Sequence, residues 1–305
     1  MSLPDTTLLR QLNRLHFRVR TARGSRPGET LIPRSTQAWG IEFESYKDYS
    51  PGDDFRYVDW NAVGRLDQLV VRTFTAEREI NFHLFLDTSA SMNAPVIDHK
   101  FSFACGLASA LGYIVLNNND PLQIVALTTT NAKKPEQRPF RVAPLLRHRS
   151  QFSRLLTFLE TVQPGGKTYL REAVRAYSEQ TREPGVSLVI SDFLVDPAQY
   201  QEALLLLKAR GYEVKALQVL GSAELSPERL FRRGKLYDVE DHSERWVTLS
   251  SAHLRQYQEA LHTHTAELRH FCHSHQILYG QISTATALSR VLTEELLAVG
   301  LLGIR

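Results

Sequence analysis

The chain has 305 residues, of which 43% are hydrophobic and 23% charged, and its formal net charge is +3 at pH 7. The length suits one large α/β domain with appendages, and the charge is too small to indicate nucleic-acid binding. We find no apolar signal core and no apolar stretch near the ~18 residues that a bilayer span needs. A cytoplasmic protein without a membrane span is therefore expected, with Cys105 and Cys272 reduced and buried.

The first predicted element is an amphipathic helix over residues 5–20. Its apolar residues recur at helical spacing on one face, at Leu8, Leu12, Leu15 and Val19. Its basic residues lie on another face, at Arg10, Arg14 and Arg18. These arginines could contact anionic lipid or nucleic acid, but the favoured interpretation is that the leucine face packs on the rest of the protein. No nucleic-acid partner is expected.

Residues 21–75 follow as loops and short strands, beginning with a polar loop over 21–36. Pro51 and Gly52 occupy the central positions of a turn, which favours type II. The acidic residues that follow the turn could bind a second cation. The favoured interpretation is a structural turn in which Arg56 pairs locally and Trp60 is buried.

From Ile80 onward, strands alternate with helices. Strands are predicted over residues 80–86, 122–127, 186–191, 213–219 and 276–282. Helices are predicted over residues 99–117, 150–161, 169–182, 196–209, 252–274 and 286–299. Strands that are apolar on both faces and separated by helices are typical of an α/β fold with a doubly wound, mainly parallel sheet. Residues 139–143 could add an antiparallel edge strand.

Two short apolar pieces break this alternation, at residues 236–239 and 246–249, and they predict a small hairpin insertion. The predicted organisation is therefore an N-terminal extension of helix, loops and short strands over residues 1–79. An α/β domain follows over residues 80–305 and carries the insertion at about 221–250.

Oxygen-bearing side chains recur in three predicted loops of the α/β domain. Ligands of open α/β sheets bind beyond the carboxyl ends of the strands, and carboxylate and hydroxyl oxygens suit Mg²⁺ or another hard cation such as Mn²⁺ or Ca²⁺. We therefore predict a metal site with five ligands: Asp87, Ser89, Ser91, Thr168 and Asp192.

Two other interpretations of these loops were considered. Asp and Ser after a strand also cap helix N-termini, because their oxygens accept free backbone amides. The turn at residues 164–168 imitates the end of a P-loop, but that motif needs a glycine at position 161, which is Thr161. Nucleotide binding at this turn is therefore rejected.

The five oxygen-bearing positions, all filled in the right order, resemble the metal-ion-dependent adhesion site of the von Willebrand factor A family. The resemblance implies a von Willebrand A-like fold. It also implies Mg²⁺ held by these five residues and metal-dependent binding of a protein partner.

The segment from Gly40 to Asn61 contains a second signature, Tyr-x-x-Tyr-x-Pro-Gly-Asp-Asp-x-Arg-x-x-Asp-Trp-Asn. It resembles the motif of a bacterial family known as domain of unknown function 58, whose members carry it upstream of a von Willebrand A-like domain. The resemblance covers residues from about 8 to 290. It implies partnership with a MoxR-type AAA+ ATPase and a client protein complex.

We therefore expect a metal-binding adaptor or co-chaperone that is not an enzyme. The enzyme alternative, a Mg²⁺-dependent hydrolase, needs a general base near the metal, and the three loops contain no His or Glu. A zinc or nickel site in the histidine-rich stretch 253–275 is conceivable. A solvated helix is favoured there, because no Cys-x-x-Cys or His-Glu-x-x-His accompanies those histidines.

Overall fold

The computed structural model describes residues 6–19, 41–66, 68–76, 79–128, 138–167, 169–181, 183–227, 233–237, 244–248 and 250–305. They belong to two compact units. Unit 1 takes the chain up to Val19 and again from Ile80 onward, and unit 2 takes the residues between them. The predicted polar loop at 21–36 and the predicted ligand Thr168 lie outside the described residues.

Unit 1 contains most of the regular structure. Its strands are β1 (Leu15–Phe17), β4 (Phe82–Asp87), β5 (Leu122–Leu127), β6 (Phe140–Val142), β7 (Val186–Ser191), β8 (Glu213–Leu220), β9 (Arg233–Tyr237), β10 (Glu244–Thr248), β11 (Leu278–Ser283) and β12 (Leu302–Ile304). Its α-helices are α1 (Thr6–Leu12), α3 (Lys100–Asn117), α4 (Phe152–Glu160), α5 (Leu170–Gln180), α6 (Pro197–Ala209), α7 (Ser222–Leu225), α8 (Ser251–Ser274), α9 (Leu288–Arg290) and α10 (Leu296–Ala298). Unit 2 contains β2 (Ile41–Asp48), α2 (Trp60–Leu66) and β3 (Val70–Ala76).

The main sheet of unit 1 has six strands in the order β11-β8-β7-β4-β5-β6. All neighbours are parallel except β6, which pairs antiparallel with β5. The predicted mainly parallel sheet and its antiparallel edge strand are therefore confirmed. In the centre, β4 and β7 are paired up to Leu86 and Ile190, so their carboxyl ends lie side by side.

Both faces of the sheet are covered, which explains the unbroken apolar runs of the central strands. Leu84 and Leu86 of β4 face one hydrophobic cluster, which also contains side chains of α3 and α4. Phe85, between them, faces a second cluster with side chains of α5, α6 and α8. Helices on both faces make this a mixed α/β fold, as predicted.

The predicted helix over residues 5–20 is wrong beyond Leu12. The helix ends there, and Leu15–Phe17 instead forms β1, which pairs antiparallel with β12 at the other end of the chain. Leu15 and Phe17 are buried in the first cluster. Their spacing fits a helix face, but the pairing with β12 and the burial favour an extended backbone. The predicted helix over 286–299 is also interrupted, by a π-helical segment at Val291–Glu295.

Helix α3 lies at the centre of unit 1. The stretch Val96–Asn117 is long and apolar enough to cross a membrane by length and composition, which corrects the expectation that no stretch approaches that threshold. However, 78% of its most apolar 18-residue window is buried within the protein. Packing against the sheet accounts for its apolar composition.

Strands β9 and β10 pair antiparallel as a separate two-stranded sheet, so the predicted hairpin within 221–250 is confirmed. Unit 2 contains the antiparallel pair β2–β3, and α2 lies between these two strands in the sequence. Its predicted turn is present: Gly52 has a φ of 109°, and the Asp53 amide donates to the Ser50 carbonyl over 3.0 Å.

Side chains of unit 2 follow the prediction only in part. Arg56 pairs locally with Asp54 at 2.5 Å, as expected for a structural turn. Trp60 was expected to be buried, but 64% of it is exposed, so that expectation is wrong. Its neighbour Asp59 is buried instead, and it accepts hydrogen bonds from Arg72 and Tyr46.

Candidate metal centre

The predicted ligands that the structure describes lie where the two central strands of the main sheet end. Asp87 is the last residue of β4, and Asp192 directly follows β7. Ser191 links the two strand ends, because its hydroxyl donates to Asp87 Oδ2 over 2.6 Å. Asp87, Ser89 and Asp192 are buried, and Ser91 is half-buried. Ser91 is therefore the most accessible of the described members of the set.

The first loop is organised around the carboxylate of Asp87. Its Oδ1 accepts the Ser89 amide over 2.9 Å, so the chain turns sharply just past the strand. The hydroxyls of Ser89 and Ser91 lie 2.9 Å apart. Ser89 precedes the 3-10 helix Ala90–Asn93, but its side chain makes no capping hydrogen bond to that helix. The capping alternative therefore does not describe what the Ser89 hydroxyl does.

The second loop lies directly against the first. The Gly165 amide donates to the Thr88 carbonyl, and the Ala90 amide donates to the Gly166 carbonyl, each over 2.8 Å. These two hydrogen bonds clamp the glycine turn onto the backbone on both sides of Ser89. Gly166 has a φ of 66°, a left-handed conformation that a glycine adopts without strain. The clamp places the turn that leads to Thr168 beside Ser89.

The third loop is held by its backbone as well as by its side chain. Asp192 Oδ1 accepts the Leu194 amide over 3.1 Å, and its carbonyl accepts Gln218 Nε2 over 2.9 Å. Phe193 has a left-handed φ of 54° although it is not a glycine. Its ring is fully buried, and its carbonyl lies 2.7 Å from His264 Nε2 of α8. The surrounding packing therefore overrides a strained backbone next to Asp192.

Lys100 is a member of the site that the sequence analysis missed. It is the first residue of α3 and has no exposed surface. Its ammonium donates to Asp192 Oδ2 over 2.9 Å and to Glu224 Oε1 over 2.6 Å. A lysine at the start of a largely apolar helix was the available signal, because lysines are almost never fully buried unless they are paired.

Hydrogen bonds of α7, some of them to the residues just before α3, hold Lys100 and Glu224 in place. Asp98 accepts the amide of Ala223 and the hydroxyl of Ser222, and Glu224 Oε2 accepts the Gly221 amide over 2.7 Å. A Cβ on Gly221 would lie only 2.1 Å from Asp98 Oδ2. Only glycine therefore lets the chain pass this close to Asp98.

Burial and neighbouring charges shift the pKa values of the ionisable groups in this cluster. Burial, followed by the charge of Asp192, raises the pKa of Asp87. Burial alone would lower the pKa of Lys100, but the charges of Asp192 and Glu224 outweigh it and raise that pKa. Burial also raises the pKa of Glu224 against the opposing effect of Lys100. Asp87 has no cationic partner among the described residues, so no ion pair compensates its charge there.

The donor set fits a hard divalent cation. Four of the five predicted positions are described, and all offer carboxylate or hydroxyl oxygens. The 2.9 Å between the Ser89 and Ser91 hydroxyls is a hydrogen-bond distance. The uncompensated Asp87 supplies the negative charge that such an ion needs.

Other side chains in the described parts of the chain do not form a competing metal site. No group of three or more His, Cys, Asp or Glu residues is close enough to hold an ion there. His264 of the histidine-rich helix α8 contacts the Phe193 carbonyl. Cys105 and Cys272 are free and buried, and burial raises the pKa of each thiol to about 12. Neither thiol is therefore poised for reaction.

Comparison with known proteins gives a family for most of the chain. The family model described as "Protein of unknown function DUF58" matches residues 45–267. The uncharacterized proteins Rv1480 of Mycobacterium tuberculosis and Mb1516 of Mycobacterium bovis are each 29% identical over 203 residues, or 65% of this chain. The matched region spans 55% of the length of these curated relatives.

Solved structures resemble the chain only distantly. The conserved hypothetical protein BatB from Bacteroides thetaiotaomicron is 16% identical, with a TM-score of 0.42 over 72% of this chain and 98% of BatB. The pilus adhesin SpaC from Lactobacillus rhamnosus GG is 12% identical, with a TM-score of 0.43 over 75% of this chain and 31% of SpaC. At these scores the likenesses carry no argument about function.

Proposed function

The chain belongs to the family described as "Protein of unknown function DUF58", and we propose that it is a metal-dependent protein-binding module. In this proposal it acts as an adaptor or co-chaperone for a MoxR-type AAA+ ATPase, in the assembly or activation of a client protein complex. The ATPase partnership rests on the resemblance of the two sequence signatures to that family. The site itself supports the binding chemistry.

The convergence of three loops at the carboxyl ends of β4 and β7 is the observation that carries the proposal. It brings Asp87, Ser89 and Ser91 beside Asp192. The clamp at Gly165 and Gly166 adds the turn that precedes Thr168. This combination of residue types and loops supports a von Willebrand A-like domain with a metal-ion-dependent adhesion site.

Asp87, Ser89, Ser91, Thr168 and Asp192 would hold Mg²⁺, or Mn²⁺ or Ca²⁺ in its place. Such an ion keeps several waters and would offer an exchangeable position to a carboxylate of the partner. The chain orients the donors: the Ser89 amide and the Ser191 hydroxyl each fix one oxygen of Asp87. Ser91, the most exposed of the described donors, marks the side from which a partner would approach.

Binding without catalysis is the better fit to these residues. Lys100 is the basic side chain in contact with the described site, and it is fully buried and doubly paired. It therefore cannot reach a substrate or exchange protons with one. We propose a cytoplasmic location, which fits the free and buried thiols of Cys105 and Cys272.

The proposal is tested by capture of a purified MoxR-type ATPase from the same organism on the immobilised protein, with Mg²⁺ and with chelator. Wild type should capture the ATPase only with Mg²⁺. Ser89→Ala with Ser91→Ala should abolish that capture. Each hydroxyl hydrogen bond is worth only about 1 kcal/mol, so the melting temperature in chelator should change little.

A matched control removes two other serine hydroxyls far from the metal face. Ser109 donates to the Gly106 carbonyl over 2.8 Å, and Ser178 donates to the Arg175 carbonyl over 3.0 Å. Ser109→Ala with Ser178→Ala should retain Mg²⁺-dependent capture. Equal capture by wild type and by the Ser89/Ser91 double variant would show that the metal-mediated mechanism is wrong.

A further inference from the structure

The buried lysine of the candidate metal centre has a role that its burial alone does not explain. We propose that Lys100 is a positioning residue that lowers the metal affinity of the site, because its ammonium occupies Asp192 Oδ2. This inference rests on the proposed metal-binding function. Its consequence is an ion that is held weakly by the protein alone and firmly only when a partner's carboxylate completes the site.

The position of the ammonium is fixed by the backbone. Lys100 begins α3, and the preceding residue, His99, has a left-handed φ of 46°. His99 is itself tied into two turns, through its amide to Val96 and through its carbonyl to Phe103. The lysine therefore enters from the protein interior, with its charge at the candidate site and no surface exposed to a partner.

Asp192 is the predicted ligand that Lys100 controls. One of its oxygens accepts the Leu194 amide, and the other accepts the Lys100 ammonium. An incoming cation or its bound water has to share the second oxygen with the ammonium and be repelled by its charge. Asp87, in contrast, accepts hydrogen bonds only from neutral donors in the described structure. The two carboxylates therefore have unequal roles.

The charge balance of the cluster allows a clean experiment. The Lys100 ammonium pairs with Asp192 and Glu224, and Asp87 lies close enough to Asp192 for that charge to raise its pKa. These four groups have a formal charge of −2 when all are ionised. Replacing Lys100 and Glu224 together by neutral residues leaves that balance unchanged, because one positive and one negative charge are lost. Any change in metal affinity then reports the contact between the ammonium and Asp192 rather than the total charge.

The test is calorimetric titration of the full chain with Mg²⁺ and, separately, Mn²⁺. We expect Lys100→Met with Glu224→Gln to bind each ion about tenfold more tightly than wild type, because a like charge in contact with a ligand is removed. Adding Asp87→Asn to this double variant should abolish the gain. That result would locate the tighter binding at the same site.

A matched control uses the second buried lysine pair of unit 1. Lys215 is buried on β8 and pairs with Glu213 at 2.7 Å, at the amino end of that strand and thus at the opposite edge of the sheet. Lys215→Met with Glu213→Gln should change the melting temperature in chelator but leave metal affinity at the wild-type value. If Lys100 had only a structural role, the Lys100/Glu224 double variant would likewise change the melting temperature and leave metal affinity at the wild-type value.

The outcomes separate this inference from the proposed function. Metal binding by wild type, with equal or weaker binding by the Lys100/Glu224 double variant, would overturn the proposed role of Lys100 but not the metal site. Failure of every variant to bind either ion would overturn the metal site as well. Tighter binding by the double variant, with its melting temperature in chelator still measurable and cooperative, would support both.

Discussion

Asp59 and Asp87 are both buried aspartates, but their surroundings have opposite effects on their charge. Hydrogen bonds from Arg72 and then Tyr46 lower the pKa of Asp59 to about 2. Burial and the charge of Asp192 raise the pKa of Asp87. The first aspartate has its counter-ion within the protein, so its role is structural. The second lacks one among the described residues and is suited to bind an external cation.

Asp59 therefore predicts a pH dependence of stability. Its pKa falls from 3.8 to about 2 on folding, so the ionised form is favoured in the folded state. The stabilisation is fully present above the unfolded pKa and is lost as the pH falls through the folded one. Asp59→Asn should therefore reduce the free energy of unfolding most near pH 6, and the difference from wild type should shrink towards about pH 2.

Denaturant unfolding of both proteins over this pH range measures the Asp59 effect. Asn retains an oxygen that can accept the Asn61 and Ala62 amides but loses the charge that faces Arg72. A difference in stability that stayed constant across the range would mean that the Asp59 charge contributes nothing. The substitution would then act only through hydrogen-bond geometry.

At the scale of elements, the close packing of β7 against β4 and β8 aligns the carboxyl ends of β4 and β7, which carry the candidate site. Gly185, just before β7, lies against the backbone of Asn81, just before β4. The Val186 amide donates to the Asn81 carbonyl, and the Glu213 amide donates to the Gly185 carbonyl, each over 2.8 Å. Strands β4, β7 and β8 are therefore aligned from their amino ends.

Gly185→Ala should disturb this alignment. A Cβ there would lie 2.0 Å from the Asn81 carbonyl oxygen, so the backbone has to shift. We expect a loss of about 1–3 kcal/mol in the free energy of unfolding, as for other overpacked sites. Gly165→Ala is the control, because no atom lies within 4 Å of its added Cβ, and it should stay within about 0.5 kcal/mol of wild type. Equal effects of the two substitutions in denaturant unfolding would contradict this account.

Buried strands were the most predictable elements. The predicted bounds of β5 and β7 match the observed ones, because strands covered on both faces are apolar throughout and end at polar turns. The region of β1 was predicted as helix, because its pairing with β12 depends on residues at the other end of the chain. Local spacing contains no information about such a partner.

The residue types of the site were visible in the sequence, but their electrostatic setting was not. The alternation of Asp87, Ser89 and Ser91 placed them together after a strand, and the structure brings Asp192 beside them. Lys100 was not assigned to the site, because its contact with Asp192 is set by the fold and has no spacing pattern in the sequence. Thr168 stays a prediction, since it lies outside the described residues.

At the scale of the whole molecule, the chain forms two compact units with different features. Unit 1 is an α/β body whose first and last strands, β1 and β12, pair with each other, and it holds the candidate metal face. Unit 2 holds most of the family signature and exposes Phe55 and Trp60. The proposed binding function needs one accessible face on a stable scaffold, and the candidate metal face lies on the α/β body of unit 1.

The most direct test of the metal-binding account is calorimetric titration of Mg²⁺ into wild type and Asp87→Asn. Asn keeps the size of the side chain and its oxygen can still accept the Ser89 amide, while its amide nitrogen can donate to the Ser191 hydroxyl. The substitution removes the charge that would bind the ion. Asp59→Asn, at a buried aspartate of unit 2 outside the predicted ligand set, is the control. We expect saturable binding by wild type and by Asp59→Asn, and none by Asp87→Asn. Equal binding by all three proteins would contradict the metal-binding account.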